Sequence, residues 1–304
     1  MNQFDRLFTV SGLSLDRLRT FLRVAEAGNL AKAAMGDVTK QSQFSRQIKE
    51  LEAFFGLALT RRVGRRIEIT EEGMRLASII RRQFRELDDF RESMTGRSVS
   101  VRFGSQGSVI DWLLVPRLTG IRESLSSALI ELEMMRSAEV VRSVADGRLD
   151  FGIVREDAVP AEIKRWRLGQ VGYGLFAAKA LWKRCATVEE LLQKSPVAEL
   201  QSGGQFAERW HHWLATKRLT PQVFARVSSF TDLARIVRTG HAAAVLPVLA
   251  AVDFEQNRFE YHPVAALKPR TLVLITNDRS LDRSGFDPQI ARKLAEVLTI
   301  ENRG

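Results

Sequence analysis

Near the start of the chain, apolar residues recur at three- and four-residue steps in three short stretches, the spacing of one helix face. In the first, Leu15, Leu18, Phe21, Leu22 and Ala25 follow the capping-type residue Ser14 and end near Gly28. A second short helix is expected over NLAKAAM, stopping near Gly36. In the third, TKQSQFSRQIKELEAFFG, Thr39 is the expected cap, Phe44, Ile48, Leu51 and Phe55 are spaced 4, 3 and 4, and Gly56 ends the run. Three short helices joined by brief turns form a helix-turn-helix unit. In LALTRRVGRRIEITEEG, which follows, Leu59, Ile67 and Ile69 flank a basic tip of Arg61, Arg62, Gly64, Arg65 and Arg66. Gly64 suits the backbone angles of a hairpin turn, so a two-stranded wing is predicted.

Thr70 then caps a long helix with Glu71 and Glu72 at its positive end. Its stripe of Leu76, Ala77, Ile80, Phe84, Leu87, Phe90 and Met94 runs to Gly96, about six turns. A stripe that long needs burial, either against a second copy in a coiled-coil-like dimer or against its own domain. From Ser98 onward short β-type runs alternate with helical ones: SVSVRFGS, ALIELEMM, LDFGIV, GYGLFA, SPVAEL, FARVS, AAAVLP and TLVLITN are the expected strands. Such alternation predicts parallel sheets flanked by helices, in one sheet or two.

The composition is that of a globular protein: 304 residues, 45% hydrophobic and 27% charged, enough for two or three domains. Lys and Arg number 46 against 36 acids, and the net charge of +10 favours a polyanionic partner. The excess is concentrated. Residues 40–66 hold Lys40, Arg46, Lys49, Arg61, Arg62, Arg65 and Arg66 against Glu50 and Glu52 alone. No signal-type core and no run of the roughly 20 apolar residues needed to cross a bilayer is present, and one cysteine, Cys185, permits no internal disulfide. A reducing cytoplasm, with no membrane association, is the expected home.

At 100° per residue, the side of the third helix opposite Phe44, Ile48, Leu51 and Phe55 carries Ser42, Arg46, Lys49 and Ala53, with Gln43 and Ser45 flanking. A solvated helix face usually mixes acids with bases. Here the first two turns have none. Arg and Lys can donate to guanine edges or phosphates, Gln can pair with adenine, and Ser suits phosphate oxygens. Double-stranded DNA is therefore the predicted partner of Lys40, Gln41, Ser42, Gln43, Ser45, Arg46 and Lys49, with Arg62, Arg65 and Arg66 of the wing on the phosphates.

These stretches closely resemble the winged helix-turn-helix of LysR-type transcriptional regulators. The matching positions are Ala33, Ala34, Gln41, Ser45, Ile48, Leu51, Glu52, Gly56, Arg61, Arg62, Arg65, Thr70 and Gly73. Asp37, Lys40, Ser42 and Gln43 depart from the family's usual leucine, serine, proline and small residue. The missing leucine suggests a reshaped turn in which Met35 or Val38 fills the core. ADGRLDFGIV and VRTGHAAAVLP resemble two further family segments. The resemblance implies an α/β fold class: an all-α winged helix-turn-helix (residues 1–70), a linker and dimerisation helix (71–97), and a two-lobed effector-binding domain (98–304). One lobe would comprise 98–169 and 275–304, the other 170–274. It also implies a promoter-binding homodimer or homotetramer governed by a small-molecule effector.

Ligands of such sheets sit at strand C-terminal ends and helix N-termini, where free amides favour anions. That rule selects Ser105, Gln106, Gly107 and Ser108 after the first strand, then Gln201, Ser202 and Gly203, and Ser229, Phe230 and Thr231. Catalysis finds little support. GSQG lacks the lysine of a phosphate loop, adjacent His211 and His212 cannot share a helix face as metal ligands, and no nucleophile elbow is present. No cofactor, metal or enzymatic activity is expected. The competing reading is a small-molecule binding protein or enzyme on the α/β lobes with a basic dimerisation arm.

Overall fold

The computed structural model describes residues 7, 9–63, 66–94, 100–126, 128–201, 205–277 and 289–301. The chain divides into two compact units, one built on residues 1–97 and the other on most of the remainder.

The first unit opens with α1 (Leu15–Ala27), α2 (Leu30–Ala33) and α3 (Val38–Phe55). Ser14 caps α1 by accepting from the Arg17 amide, and Asn29 caps α2. Gly28 and Gly56, both left-handed, close α1 and α3. α3 starts ahead of the expected cap at Thr39: Asp37 is its N-cap, accepting from the Lys40 amide at 3.1 Å. Met35 and Val38 do not fill the core as expected, being 87% and 74% exposed. An acid at position 37 thus serves the helix end rather than the interior. Strands β1 (Thr60–Val63) and β2 (Arg66–Ile69) pair antiparallel as the wing, and α4 (Glu71–Met94) follows.

The interior joins Phe21 and Val24 of α1, Ala33 and Ala34, Phe44, Ile48 and Leu51 of α3, Leu59, and Ala77 and Ile80 of α4. The α4 stripe therefore splits. Its first half packs on its own head, while Leu87, Phe90 and Met94 are 57%, 64% and 68% exposed. Thr70 caps α4 through the Gly73 amide at 3.0 Å. A side chain at Gly73 would place its Cβ 2.3 Å from the Leu59 carbonyl oxygen, which accounts for glycine there.

In the second unit, β3 (Ser100–Ser105), β4 (Leu129–Met134), β5 (Phe151–Arg155), β6 (Arg165–Val171) and β12 (Arg270–Thr276) form a sheet in the order β4-β3-β5-β12-β6. One face is covered by α5 (Gly107–Val109) and the helical turns that follow it, by α6 (Leu118–Ser124), and by α12 (Ile290–Val297). α7 (Ser137–Ala145) covers the other through Val140, Val141 and Val144.

The second lobe has β7 (Tyr173–Ala178) between β10 (Ala244–Pro247) and β11 (Phe259–Pro263), all antiparallel. It also contains β8 (Pro196–Leu200) parallel to β9 (Gln222–Val227), tied on by a bridge from Val197 to Ala243. α8 (Lys179–Trp182), α9 (Val188–Lys194), α10 (Gln205–Thr216) and α11 (Phe230–Arg238) pack on these strands.

The expectation of parallel sheets needs correcting. β12 returns from the second lobe and inserts antiparallel between β5 and β6. Expected lobe boundaries at 169/170 and 274/275 fall inside β6 and β12, so the first sheet keeps both strands whole. β6 and β11 are edge strands that the expected strands omitted. Their sequences, RWRLGQV and FEYHP, carry charges or a terminal proline instead of a clean apolar alternation.

Candidate DNA interface and effector cleft

α3 presents two chemically opposite faces. Phe44, Ile48 and Leu51 are 7%, 2% and 0% exposed, whereas Lys40, Ser42, Gln43, Arg46 and Lys49 are exposed and Gln41 and Ser45 half-buried. A groove of about 650 Å³ runs along this surface, lined by Gln41, Ser42, Ser45, Arg46 and Lys49 of α3, by Asn29, Leu30 and Ala31, and by Ile67 of the wing. Five of the seven α3 residues expected at a DNA interface are thus brought to one concavity; Lys40 and Gln43 are not among its lining residues.

The charges on this face are partly tethered. Lys40 Nζ lies 3.5 Å from Asp37, and Arg46 Nε lies 3.7 Å from Glu50, which also takes the Arg17 guanidinium. Both contacts are solvent-exposed and weak, so a phosphate or base edge can replace them. The Lys40 amide hydrogen bond holds the Asp37 carboxyl below the usual carboxylate range. Lys49 has no ion pair among the described residues.

Glu52 makes the junction between α3 and the wing. Its Oε1 accepts from the Leu59 amide, the Thr60 amide and the Thr60 hydroxyl, each at 2.9 Å. Arg61 pairs across the wing with Glu68 at 3.1 Å, and Arg62 is exposed on β1. Arg65 lies outside the described residues, as does the side chain of Arg66.

The second unit has its own convergence. β3 and β5 are parallel with Ser105 beside Ile153, so Arg155 lies at the C-terminal end of β5. Antiparallel β12 sets Leu272 opposite Arg155 and Arg270 opposite Val171, bringing Arg270 to the same edge. From the other lobe, Gln205 and Phe206 open α10, Phe230 opens α11, and Tyr173 opens β7. Arg155 crosses between lobes to donate to Gln205 Oε1 at 2.9 Å. Arg270 pairs with Asp157 at 2.9 Å, and Arg155 Nε stands 3.4 Å from the same carboxylate. The rings of Tyr173 and Phe206 lie 5.0 Å apart, Phe206 and Phe230 5.0 Å, and Tyr173 and Phe230 6.3 Å. Burial pushes the Tyr173 hydroxyl above its ordinary pKa, opposed by the positive charge of Arg270, Arg155 and Arg209.

Several expected effector residues have structural duties here. The Ser105 hydroxyl is fully buried and donates to the Ile153 carbonyl at 2.7 Å, so it locks two strands together, contrary to the expectation of a ligand contact. Ser229 caps α11 by accepting from the Asp232 amide, donates to the Asp232 carboxylate at 2.7 Å and lies 3.0 Å from the Thr231 hydroxyl. Gln106 is exposed ahead of half-buried Gly107 and Ser108, and Gln201 is exposed with its amide on the Val227 carbonyl. Ser202 and Gly203 lie outside the described residues.

Sequence reasoning missed Arg155, Tyr173, Gln205, Phe206 and Arg270. Extending the strand-end rule to LDFGIVR would have found Arg155. Among the described residues no three His, Cys, Asp or Glu side chains are grouped to hold a metal, and no helix is long and apolar enough to cross a membrane.

A winged helix-turn-helix joined to a two-lobed α/β unit with converging strand ends is the architecture of one class of two-part bacterial proteins. The chain belongs to the LysR family: the model for "Bacterial regulatory helix-turn-helix protein, lysR family" matches residues 15–74 and that for "LysR substrate binding domain" matches 95–295. It is similar to a probable nitrogen assimilation transcriptional activator of Synechococcus elongatus, 31% identical over 148 residues, which is 47% of this chain and 48% of that protein. The chain thus spans about half the length of that relative. A probable RuBisCO transcriptional regulator of Thalassiosira pseudonana is 26% identical over 300 residues, 95% of this chain and 87% of that one. The fold is shared with full-length CbnR, solved in complex with its target DNA, at 21% identity and a TM-score of 0.55, covering 94% of this chain and 99% of that one.

Proposed function

We propose that the protein is a cytoplasmic, sequence-specific transcriptional regulator without enzymatic activity, controlled by a small molecule held between its two α/β lobes. The observation that carries this reading is the face of α3: Ser42, Gln43, Arg46 and Lys49 exposed above a buried Phe44, Ile48 and Leu51, with no acid in its first turn. A mere dimerisation arm would have no use for it.

In this reading α3 lies in the major groove, Lys40, Gln41, Ser42, Gln43, Ser45, Arg46 and Lys49 contact bases and phosphates, and Arg62, Arg65 and Arg66 of the wing clasp the backbone. The exposed half of α4, at Leu87 and Met94, buries itself against a second copy, so that two heads address two half-sites. The cleft contacts come from Gln106, Gly107, Ser108, Gln201, Ser202, Gly203, Phe230 and Thr231, joined by Arg155, Tyr173, Phe206 and Arg270. A ligand there alters transcription only through unequal affinity for two placements of the heads.

Lys49 is assigned to a phosphate. Lys49→Ala is therefore expected to weaken binding to all duplexes alike and to reduce the slope of log affinity against log salt by about one. Fluorescence anisotropy over a salt series reads both quantities, and an unchanged slope would remove Lys49 from the interface.

A further inference from the structure

We infer that the effector of the interlobe cleft is a small carboxylate borne on a flat apolar ring, with Arg155 and Arg270 taking the carboxylate and Phe206, Phe230 and Tyr173 taking the ring. This class assignment rests on the regulator reading above.

The charge balance comes first. Arg155 and Arg270 share one carboxylate, Asp157, and Arg209 on α10 has no ion pair among the described residues. Two guanidiniums against one shared acid leave one positive charge unanswered at the meeting point of the lobes, with Arg209 exposed nearby. Arg270 is the most enclosed of them, with 11% of its side chain exposed, and an enclosed positive charge costs stability unless an anion answers it.

The hydrogen bonding agrees. Arg155 Nε is buried without a hydrogen-bond acceptor, its contact with Asp157 being an ion pair only. Its Nη1 is satisfied by a neutral amide oxygen, that of Gln205. A planar carboxylate offers two oxygens to such a fork and forms the stronger, charge-assisted bond, so it displaces the amide. Gln205 then returns to solvent at the start of α10, where it is already exposed.

The three rings set the rest of the ligand. Tyr173 and Phe206 are tilted at 38° and Phe206 and Phe230 stand edge-on at 75°, each pair 5.0 Å between centroids. A flat ring entering beside them gains edge and face contacts that a branched or hydrated body does not. A phosphate matches the charge equally well but brings a third oxygen, which needs a further donor beside apolar rings.

Benzoate, benzamide and phenyl phosphate, added to the full-length protein, separate these chemistries by thermal unfolding and calorimetric titration. Benzoate is expected to raise the Tm in a concentration-dependent way, with benzamide and phenyl phosphate at least tenfold weaker. Arg155→Gln is expected to weaken benzoate binding at least tenfold, and Arg155→Lys to restore only part of it. Should Arg155→Gln unfold the domain, Phe206→Leu supplies the second reading, with an expected several-fold loss of benzoate affinity and a ligand-free Tm lowered by only a few degrees, because Phe206 is half-buried. Equal binding of benzamide or phenyl phosphate, no stabilisation by benzoate, or full benzoate affinity in Arg155→Gln or Phe206→Leu each overturns the assignment. DNA preference measured on the same preparation keeps the two readings apart: if it persists while benzoate fails, the ligand class alone is wrong.

Discussion

Glu52→Ala is expected to destabilise the winged-helix head by about 2–4 kcal/mol and to abolish DNA binding of every kind. One carboxylate oxygen collects the Leu59 amide, the Thr60 amide and the Thr60 hydroxyl, and Leu59 itself is 1% exposed. Alanine strands two backbone donors at the corner where α3 hands over to the wing, and each buried donor left unmet costs about 1–3 kcal/mol. Glu52→Gln keeps an acceptor oxygen and loses only the charge, so its cost is expected near 1 kcal/mol. Circular dichroism melts of the three proteins order them wild type, Gln, Ala. An alanine variant melting within a degree of wild type would show that the wing is held by packing alone.

Arg46→Ala has the second large effect, of a different kind. Arg46 is exposed on the acid-poor face and sits in the groove lined by α2, α3 and the wing. An arginine donating two hydrogen bonds to a base contributes about 1–3 kcal/mol of discrimination, roughly 5- to 150-fold in affinity. The loss should fall on the preferred duplex and leave random DNA within about threefold, the reverse of the uniform weakening expected for Lys49→Ala. Its contact with Glu50 at 3.7 Å is too exposed for its removal to affect folding, and Glu50 retains Arg17. Equilibrium competition between preferred and random duplexes measures the ratio directly, and equal losses on both would reassign Arg46 to the backbone.

The parts of this molecule that follow a period were legible in its sequence. Phe44, Ile48 and Leu51 recur at helical spacing because one face of α3 must be dry, and they are buried as that spacing requires. Thr70 and the wing hairpin were legible for the same local reason. What failed was a choice among equivalents. Asp37 and Thr39 are both capping residues two positions apart, and only the fold selects Asp37. Met35 and Val38 look like core by composition, yet the turn directs both outward.

The cleft was harder because its residues are far apart in the chain. Arg155, Gln205 and Arg270 meet only because β12 inserts antiparallel beside β5 while α10 approaches from the other lobe. No local spacing encodes such a meeting. Ser105 shows the converse: a loop hydroxyl has the same sequence signature whether it faces a ligand or, as here, a neighbouring carbonyl.

Whether the protein reads DNA sequence is decided by selection from a random duplex library. Enrichment of one recurrent sequence with two related half-sites is expected, bound at least about 1,000-fold more tightly than the starting pool at physiological salt. Recovery of no common sequence, with every duplex bound equally and all affinity lost as salt rises, would contradict sequence recognition.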